Sequence, residues 1–507
     1  MNPQDAAFVH IEDGNNPMHI GSMVVFEGPA PKYGDFVRMI ASKLPLVPRY
    51  RQKVREVPFG LGRPVWVDDP NFQILYHIRR TAVPVPGGDE ELRNLAGRVY
   101  AQNLDRSKPL WELWIVEGLE EGRWAMISKV HHCMVDGVSG SDLLSVIMDV
   151  SPDPVPTPHV PWNPGREPSP VHLLMDTIAD TIVSPIERIR GLPALARTPI
   201  PQGIGLNDLR NMVSSISHWT QPAASSLNGS VGPHRRWSWA NGTLADIREI
   251  RATLGGTIND VVLTVITRGF RDLLSSRNEQ VEGRVVRTLV PVSVRSDSEK
   301  GTYNNRVSGL FPGLPVGLDD PVERLQAIRA QMDSFKQSNQ AVAADALAQM
   351  GGFAPPMLLA LGARLGTRFQ QRVIQTVTTN VPGPQVPLYA LGRQMLYAYP
   401  YVPIGGTIRI GIAIFSYMGR LNYGVTADYD SNPDIAVLCQ GIEAGVEELL
   451  TIARAQKARA MAQAEKADTR PARPRRAAPS NGSGSKPTSA KSAPAARTSR
   501  GRRTRTP

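Results

Sequence analysis

His131-His132-Cys133-Met134-Val135-Asp136-Gly137 is the stretch on which this chain's fold and chemistry turn. A histidine near neutrality can take a proton from a hydroxyl and hand it to a leaving group, which contributes about 10²–10⁴-fold in rate. Such a base needs its ring held in one tautomer, and a nearby acidic residue, Asp136, can shape the backbone around it. Gly137 lets the chain turn sharply with no side chain obstructing a substrate. The paired histidines alone also fit a satisfied structural pair at a strand end; Asp136-Gly137 at this spacing favours catalysis. A metal site on His132 and Asp136 lacks a third His, Cys or carboxylate at ligand spacing. A Cys133–His132 nucleophilic pair fails because neighbours on a strand point to opposite faces. Cys133 therefore reads as a small buried apolar residue.

Outward from this string, residues 111–116 and 124–130 are β-prone runs around Glu120-Glu121-Gly122, which predicts a hairpin. A helix is expected to start near Ser141, whose hydroxyl can cap residues 143–147. Residues 151–170 hold eight prolines, which exclude helix and central strand and predict a linker. A helix over 171–190 and a polar stretch to about 230 follow. Residues 244–253 have helical spacing and stop at Gly255-Gly256. Asn259-Asp260 then caps an apolar helix over 261–274. Residues 285–294 form a β-branched run suited to a buried strand. Residues 408–417 and 421–427 flank Met418-Gly419-Arg420, a second hairpin, and helix returns from 434 to about 464.

A chain of 507 residues exceeds what one core usually organises, so two domains are expected. The net charge of +11 is local: residues 469–507 hold 11 Lys and Arg and no Asp or Glu, leaving 46 basic against 46 acidic residues in 1–468. That tail has no Ile, Leu, Val, Met or aromatic residue, so it cannot offset its ordering entropy and should be disordered. Two cysteines fit a reducing compartment. The N-terminus lacks the basic start and apolar core of a secretory signal. The most apolar stretch, 355–365, is short and contains Arg364, which excludes a spanning helix and leaves surface contact with a membrane open. A GxxxxGK[ST] loop, HExxH, a CxxC pair and a GxSxG elbow are all absent.

HHxxxDG resembles the signature of the coenzyme A-dependent acyltransferase superfamily. Further strings narrow the likeness: Asp5-Ala6-Ala7-Phe8, Pro17-Met18-His19-Ile20-Gly21, Leu46-Val47-Pro48-Arg49 and Pro109-Leu110-Trp111-Glu112. Leu227-Asn228-Gly229, Pro233-His234-Arg235-Arg236, Asn259-Asp260-Val261-Val262-Leu263 and Thr379-Asn380-Val381-Pro382-Gly383-Pro384 continue it. In this order, across about 1–455, they resemble the bacterial wax ester synthase/diacylglycerol acyltransferase family. The tail has no counterpart in that pattern.

The resemblance implies an α/β chain of α+β type with two chloramphenicol acetyltransferase-like domains, residues 1–150 and 231–465. A Pro-rich and helical linker, 151–230, would join them, followed by the disordered basic tail 469–507. It implies an O-acyltransferase that makes triacylglycerol from acyl-CoA and diacylglycerol, with wax ester synthesis from a long-chain alcohol by the same chemistry. By motif match His132 is the proton acceptor, His131 supports it, and Asp136 orients the loop. Gly137, Asn259, Asp260 and Trp111 are the substrate-binding or oxyanion candidates. Asn259 and Asp260 are open to two readings, amide donation to an oxyanion or a helix N-cap; so is Trp111, an acyl pocket or core. Residues 356–361 guide lipid, sit on a bilayer, or pack in the core. No metal and no cofactor beyond acyl-CoA as co-substrate is implied, and no nucleic acid partner is expected. The expected location is cytoplasmic, with peripheral contact at the inner membrane or lipid droplets. The rival functions are a condensation-type acyltransferase on carrier-bound acyl groups, which lacks an evident carrier domain here, and a non-catalytic lipid-binding protein.

Overall fold

The computed structural model describes residues 1–134, 146–153, 161–177, 226–293, 307–337 and 374–468. Asp136, Gly137, the helix near Ser141, most of the linker, the apolar stretch 355–365 and the tail lie outside the described residues.

The first half carries α1 (Pro3–Ile11), β1 (His19–Phe26), α2 (Tyr33–Lys43), β2 (Gln52–Arg55), β3 (Val65–Asp68) and α3 (Ile74–His77). It continues through β4 (Ile78–Ala82), α4 (Asp89–Ala101), β5 (Trp111–Glu117) and β6 (Trp124–His131). The second half opens with β7 (Arg235–Thr243), α5 (Leu244–Leu254), α6 (Ile258–Ser276), β8 (Val286–Ser293), β9 (Val307–Leu310), β10 (Gly313–Leu314) and α7 (Pro321–Gln337). It closes with β11 (Thr376–Val381), β12 (Tyr389–Ala390), β13 (Arg393–Tyr401), β14 (Ile410–Tyr417), β15 (Arg420–Asp428) and α8 (Ile435–Asp468).

One sheet has the order β12-β13-β1-β6-β5-β4, the other β10-β8-β11-β14-β15-β7 with β9 beside β8; β2 and β3 pair as a separate ribbon. Both expected hairpins are antiparallel pairs, β5 with β6 and β14 with β15. The second closes through Met418 and Gly419, both at positive φ, a turn that suits the right-handed twist of its strands. Local signals also set α5, whose start is capped by the Thr243 hydroxyl accepting the Asp246 amide and whose stop is Gly255 at φ 85°.

The sheets do not follow a contiguous division of the chain, because residues 389–401 cross from the second half into the first sheet. There β13 pairs with β1 in the register Gly21 to Tyr401 through Val25 to Tyr397. The same strand lies against the second sheet, where the Asn422 amide donates to the Ala398 carbonyl at 2.9 Å. Gly424 permits that approach, since a Cβ there would collide with the Pro400 carbonyl.

Period-two alternation sorts the faces of β6. Trp124, Met126 and Val130 join Phe36, Met39 and Ile40 of α2 in one core. Ala125 and Ile127 face the other way, with Leu92, Ala96 and Val99 of α4 and Trp237 and Trp239 of β7. By the same alternation Lys129 and His131 fall on that second face. Beneath the second sheet, α6 contributes Val261, Val262, Val265, Ile266, Phe270 and Leu273 to the larger apolar core. Among the described residues no helix is long and apolar enough to cross a membrane.

Candidate active site

β6 ends at His131, directly opposite His19 of β1, and residues 132–134 turn in a short 3₁₀ helix. Backbone hydrogen bonds hold that turn from two sides. His131 N–H donates to the Leu110 carbonyl at 2.9 Å, and His132 N–H to the Met18 carbonyl at 2.8 Å. α1 then lies against it, with the Phe8 ring stacked on the His132 ring at 3.9 Å between centroids and 15° between planes.

His131 is fully buried, and its neighbours assign its tautomer. Nδ1 receives the Cys133 backbone N–H at 3.1 Å, so that nitrogen carries no proton. The remaining proton sits on Nε2, which faces Glu12 Oε1 at 3.5 Å. Burial pushes the Glu12 carboxyl up, but His131, the Met18 amide and Arg106 outweigh it and hold it below its ordinary value. The Met18 amide donates to the same Oε1 at 3.1 Å, and Arg106 Nε lies 3.9 Å from Oε2. Nδ1 of His131 is thereby committed to the Cys133 amide, while Nε2 faces the Glu12 carboxylate without a hydrogen bond among the described residues.

His132 is less committed. Burial lowers its pKa to about 4, with its own backbone opposing and His131 adding to the shift. The ring is therefore neutral at pH 7, the state in which an imidazole can accept a proton. Its Nδ1 is buried with no hydrogen-bond partner among the described residues. Cys133 lies in a small apolar cluster with Val9, Leu104 and Leu110, and burial with the nearby Asp5 and Glu12 raises its thiol well above the usual range. It is a buried apolar thiol, as expected, and no nucleophile.

Three neighbours of the turn escaped the motif reading. His19 is wholly buried, its pKa held far below normal by burial and by Lys129 and His131, and neither ring nitrogen has a partner among the described residues. Lys129 is also wholly buried, donating to the Gln102 carbonyl at 2.6 Å and lying 3.6 Å from Glu112 Oε2; burial brings its pKa to about 8 against the pull of Glu112. Glu12 is the third. For His19 the signal was present in Pro17-Met18-His19, read as a family string and not as a side chain facing His131.

The other candidates separate from the turn. Asn259 and Asp260 stand in the first turn of α6, but the cap is Thr257, two residues before the expected Asn259. Asp260 Oδ2 accepts the Thr257 amide at 2.7 Å while the Thr257 hydroxyl accepts the Asp260 amide at 3.2 Å, a reciprocal capping box. Among the described residues no hydrogen bond, ion pair or ring contact joins Asn259 or Asp260 to His132. Trp111 is 1% exposed, stacked on His77 at 4.5 Å, with its indole N–H donating to the Tyr50 carbonyl at 2.8 Å. Its ring packs in the cluster that also holds Tyr50, Ile78 and Leu113. Among the described residues no cluster of three or more His, Cys, Asp or Glu could hold a metal ion.

Comparison with known proteins adds to this geometry. The family described as wax ester synthase/diacylglycerol acyltransferase catalytic domain matches residues 1–262, and its C-terminal domain matches residues 303–450. "Probable diacyglycerol O-acyltransferase tgs1" of Mycobacterium tuberculosis is 36% identical over 461 residues, 89% of this chain and 96% of that protein. "Probable diacyglycerol O-acyltransferase tgs2" of the same organism is 30% identical over 464 residues, 89% of this chain and 98% of that protein. The solved wax ester synthase/diacylglycerol acyltransferase from Marinobacter aquaeolei VT8 superposes with a TM-score of 0.63 at 25% identity, over 89% of this chain and 99% of that one. The first condensation domain of the calcium-dependent antibiotic synthetase shares the fold at TM-score 0.56 and 15% identity, over 89% of this chain and 95% of that one.

Proposed function

This chain belongs to the wax ester synthase/diacylglycerol acyltransferase family, and from that premise we propose that His132 is the base through which it acylates a hydroxyl. It is an O-acyltransferase that moves an acyl group from coenzyme A to diacylglycerol and so forms triacylglycerol. The observation that supports the role of His132 is its neutral ring on a turn pinned by both flanking backbones.

The acceptor hydroxyl gives its proton to His132 as its oxygen attacks the thioester carbonyl. With Nδ1 buried, this reading gives that task to Nε2. The tetrahedral oxyanion then collapses, the C–S bond breaks, and the imidazolium returns its proton to the coenzyme A thiolate. One proton goes out and comes back, so the reading requires no cofactor besides the acyl-CoA co-substrate. Stacking on Phe8 fixes the ring plane, and the His131–Glu12 pair fixes the backbone beneath it. Asp136 and Gly137 are assigned the shape of the loop that follows. Asp260 is assigned the capping box with Thr257; Asn259, with an amide to donate, remains the oxyanion candidate there.

Purified protein incubated with palmitoyl-CoA and dioleoylglycerol should yield triacylglycerol, with hexadecanol as a second acceptor through the same hydroxyl chemistry. His132→Ala should lower turnover by about 10²-fold or more while the melting temperature stays near that of the wild type. Turnover within a few-fold of wild type in that variant would overturn the assignment.

A further inference from the structure

The loop between β2 and β3 presents apolar side chains to solvent. Phe59 is 87% exposed and Leu61 48%, while Val57 at the base of the loop is buried. Phe59 holds φ at 59°, a region that bulky residues rarely occupy. The loop thus keeps an aromatic ring outward in a conformation its own residue disfavours. Gly62 packs against Thr177, in a segment whose Val171 and Met175 are 69% and 62% exposed. Around this apolar tip residues 49–63 carry Arg49, Arg51, Lys53, Arg55 and Arg63 against Glu56; Arg51 is buried, and Glu167 lies 3.3 Å from Lys53 and 3.5 Å from Arg55. Arg55 is exposed, and Arg49 lies over Trp66 of β3 at 4.3 Å.

This ribbon is tied to the catalytic turn. Val54 of β2 and Trp66 of β3 pack against the cluster that contains Cys133, together with Met134. A chain of charges runs the same way. Glu56 at the start of the loop lies 3.2 Å from Arg106, which is 3.9 Å from Glu12, the carboxylate facing His131. Arg106 also donates to the Val9 carbonyl of α1 at 3.1 Å.

We propose that residues 55–63 form a membrane-docking loop, with Phe59 and Leu61 entering the bilayer interface and the flanking arginines meeting anionic headgroups. An exposed apolar tip flanked by Arg55 and Arg63 is the chemistry of interfacial binding, in which burial of aromatic and aliphatic side chains adds to attraction for acidic lipid. Docking there would hold the His132 turn at the lipid surface in which diacylglycerol resides. This last consequence rests on the acyltransferase reading above; the docking itself does not.

Flotation of the full chain with phosphatidylcholine vesicles, with and without phosphatidylglycerol, tests the proposal. Phe59→Ser/Leu61→Ser should lower partitioning about 10-fold or more on both lipids, because apolar burial is lost whatever the headgroup. Arg55→Glu/Arg63→Glu should lower it chiefly on the anionic vesicles. Phe59→Cys carrying an environment-sensitive fluorophore should shift its emission to the blue when vesicles are added, and both native cysteines are buried away from the label. Triacylglycerol synthesis by Phe59→Ser/Leu61→Ser should fall with diacylglycerol in vesicles and stay at the wild-type rate with diacylglycerol in detergent micelles. Vesicle binding equal to wild type in Phe59→Ser/Leu61→Ser would overturn the proposal. Wild-type protein that floats with vesicles but acylates nothing in micelles would instead overturn the catalytic reading and leave the docking loop standing.

Discussion

Two turns in this molecule carry adjacent polar residues that the sequence marks as candidates, and they close in opposite ways. At the start of α6, Thr257 and Asp260 satisfy each other across three residues. At the end of β6, His131 reaches Glu12, His132 N–H reaches Met18, and His132 stacks on Phe8, all more than 110 positions away. The local closure secures a helix through Asp260 Oδ2 and leaves the buried Oδ1 of the same carboxylate without a partner among the described residues. A closure assembled from distant segments leaves His132 Nδ1 and both His19 nitrogens without partners among the described residues. Buried polar groups of that kind are uncommon in a folded interior and call for an explanation beyond stability.

The contrast can be broken most sharply by activity. His132→Ala should remove turnover by about 10²-fold or more, whereas Thr257→Ala should leave turnover per folded molecule unchanged; equal losses in both would erase the distinction.

Next in size is the long-range partner itself. Glu12→Ala leaves the buried His131 Nε2 without its facing carboxylate and the Met18 amide without its acceptor, and a buried donor left unsatisfied costs about 1–3 kcal/mol. Denaturant melts should show that loss, and turnover should fall along with it because the turn under His132 loses its anchor. A Glu12→Ala protein as stable and as active as wild type would show that the distant closure is incidental.

Acidification separates the turns in a third way. The folded pKa of His132, about 4, lies below its ordinary value, so between pH 6.5 and 4 the unfolded chain takes up a proton that the folded chain refuses. Stability from this group is complete above pH 6.5 and is lost as pH falls toward 4. His19, shifted the same way, adds to the trend. Melting temperature should therefore drop over that window in the wild type, and drop less in His132→Ala. A flat profile in the wild type would remove the burial argument for both rings.

The smallest effect is at the local closure. Thr257→Ala should cost about 1 kcal/mol, the usual worth of a helix cap, with KM and kcat intact. A fall in kcat there would return the α6 terminus to the active site.

Both hairpins, the helices after residues 244 and 261, the buried strand near 286–293 and the glycine stop after α5 were legible in the sequence, because turn chemistry, helix capping and side-chain periodicity act over a few neighbouring residues. The string that makes His132 the proposed base was legible for the same reason: it is seven consecutive residues. What only the tertiary structure decided was the company those residues keep. Nothing near Glu12 in the chain points to His131, nothing near His19 says it lies opposite His131, and nothing local sends residues 389–401 into the first sheet. Nothing near Trp111 in the chain says that its indole N–H meets the Tyr50 carbonyl. Such pairings depend on strand register and on which faces of separate segments share a core, and both are settled by burying apolar surface over the whole chain at once.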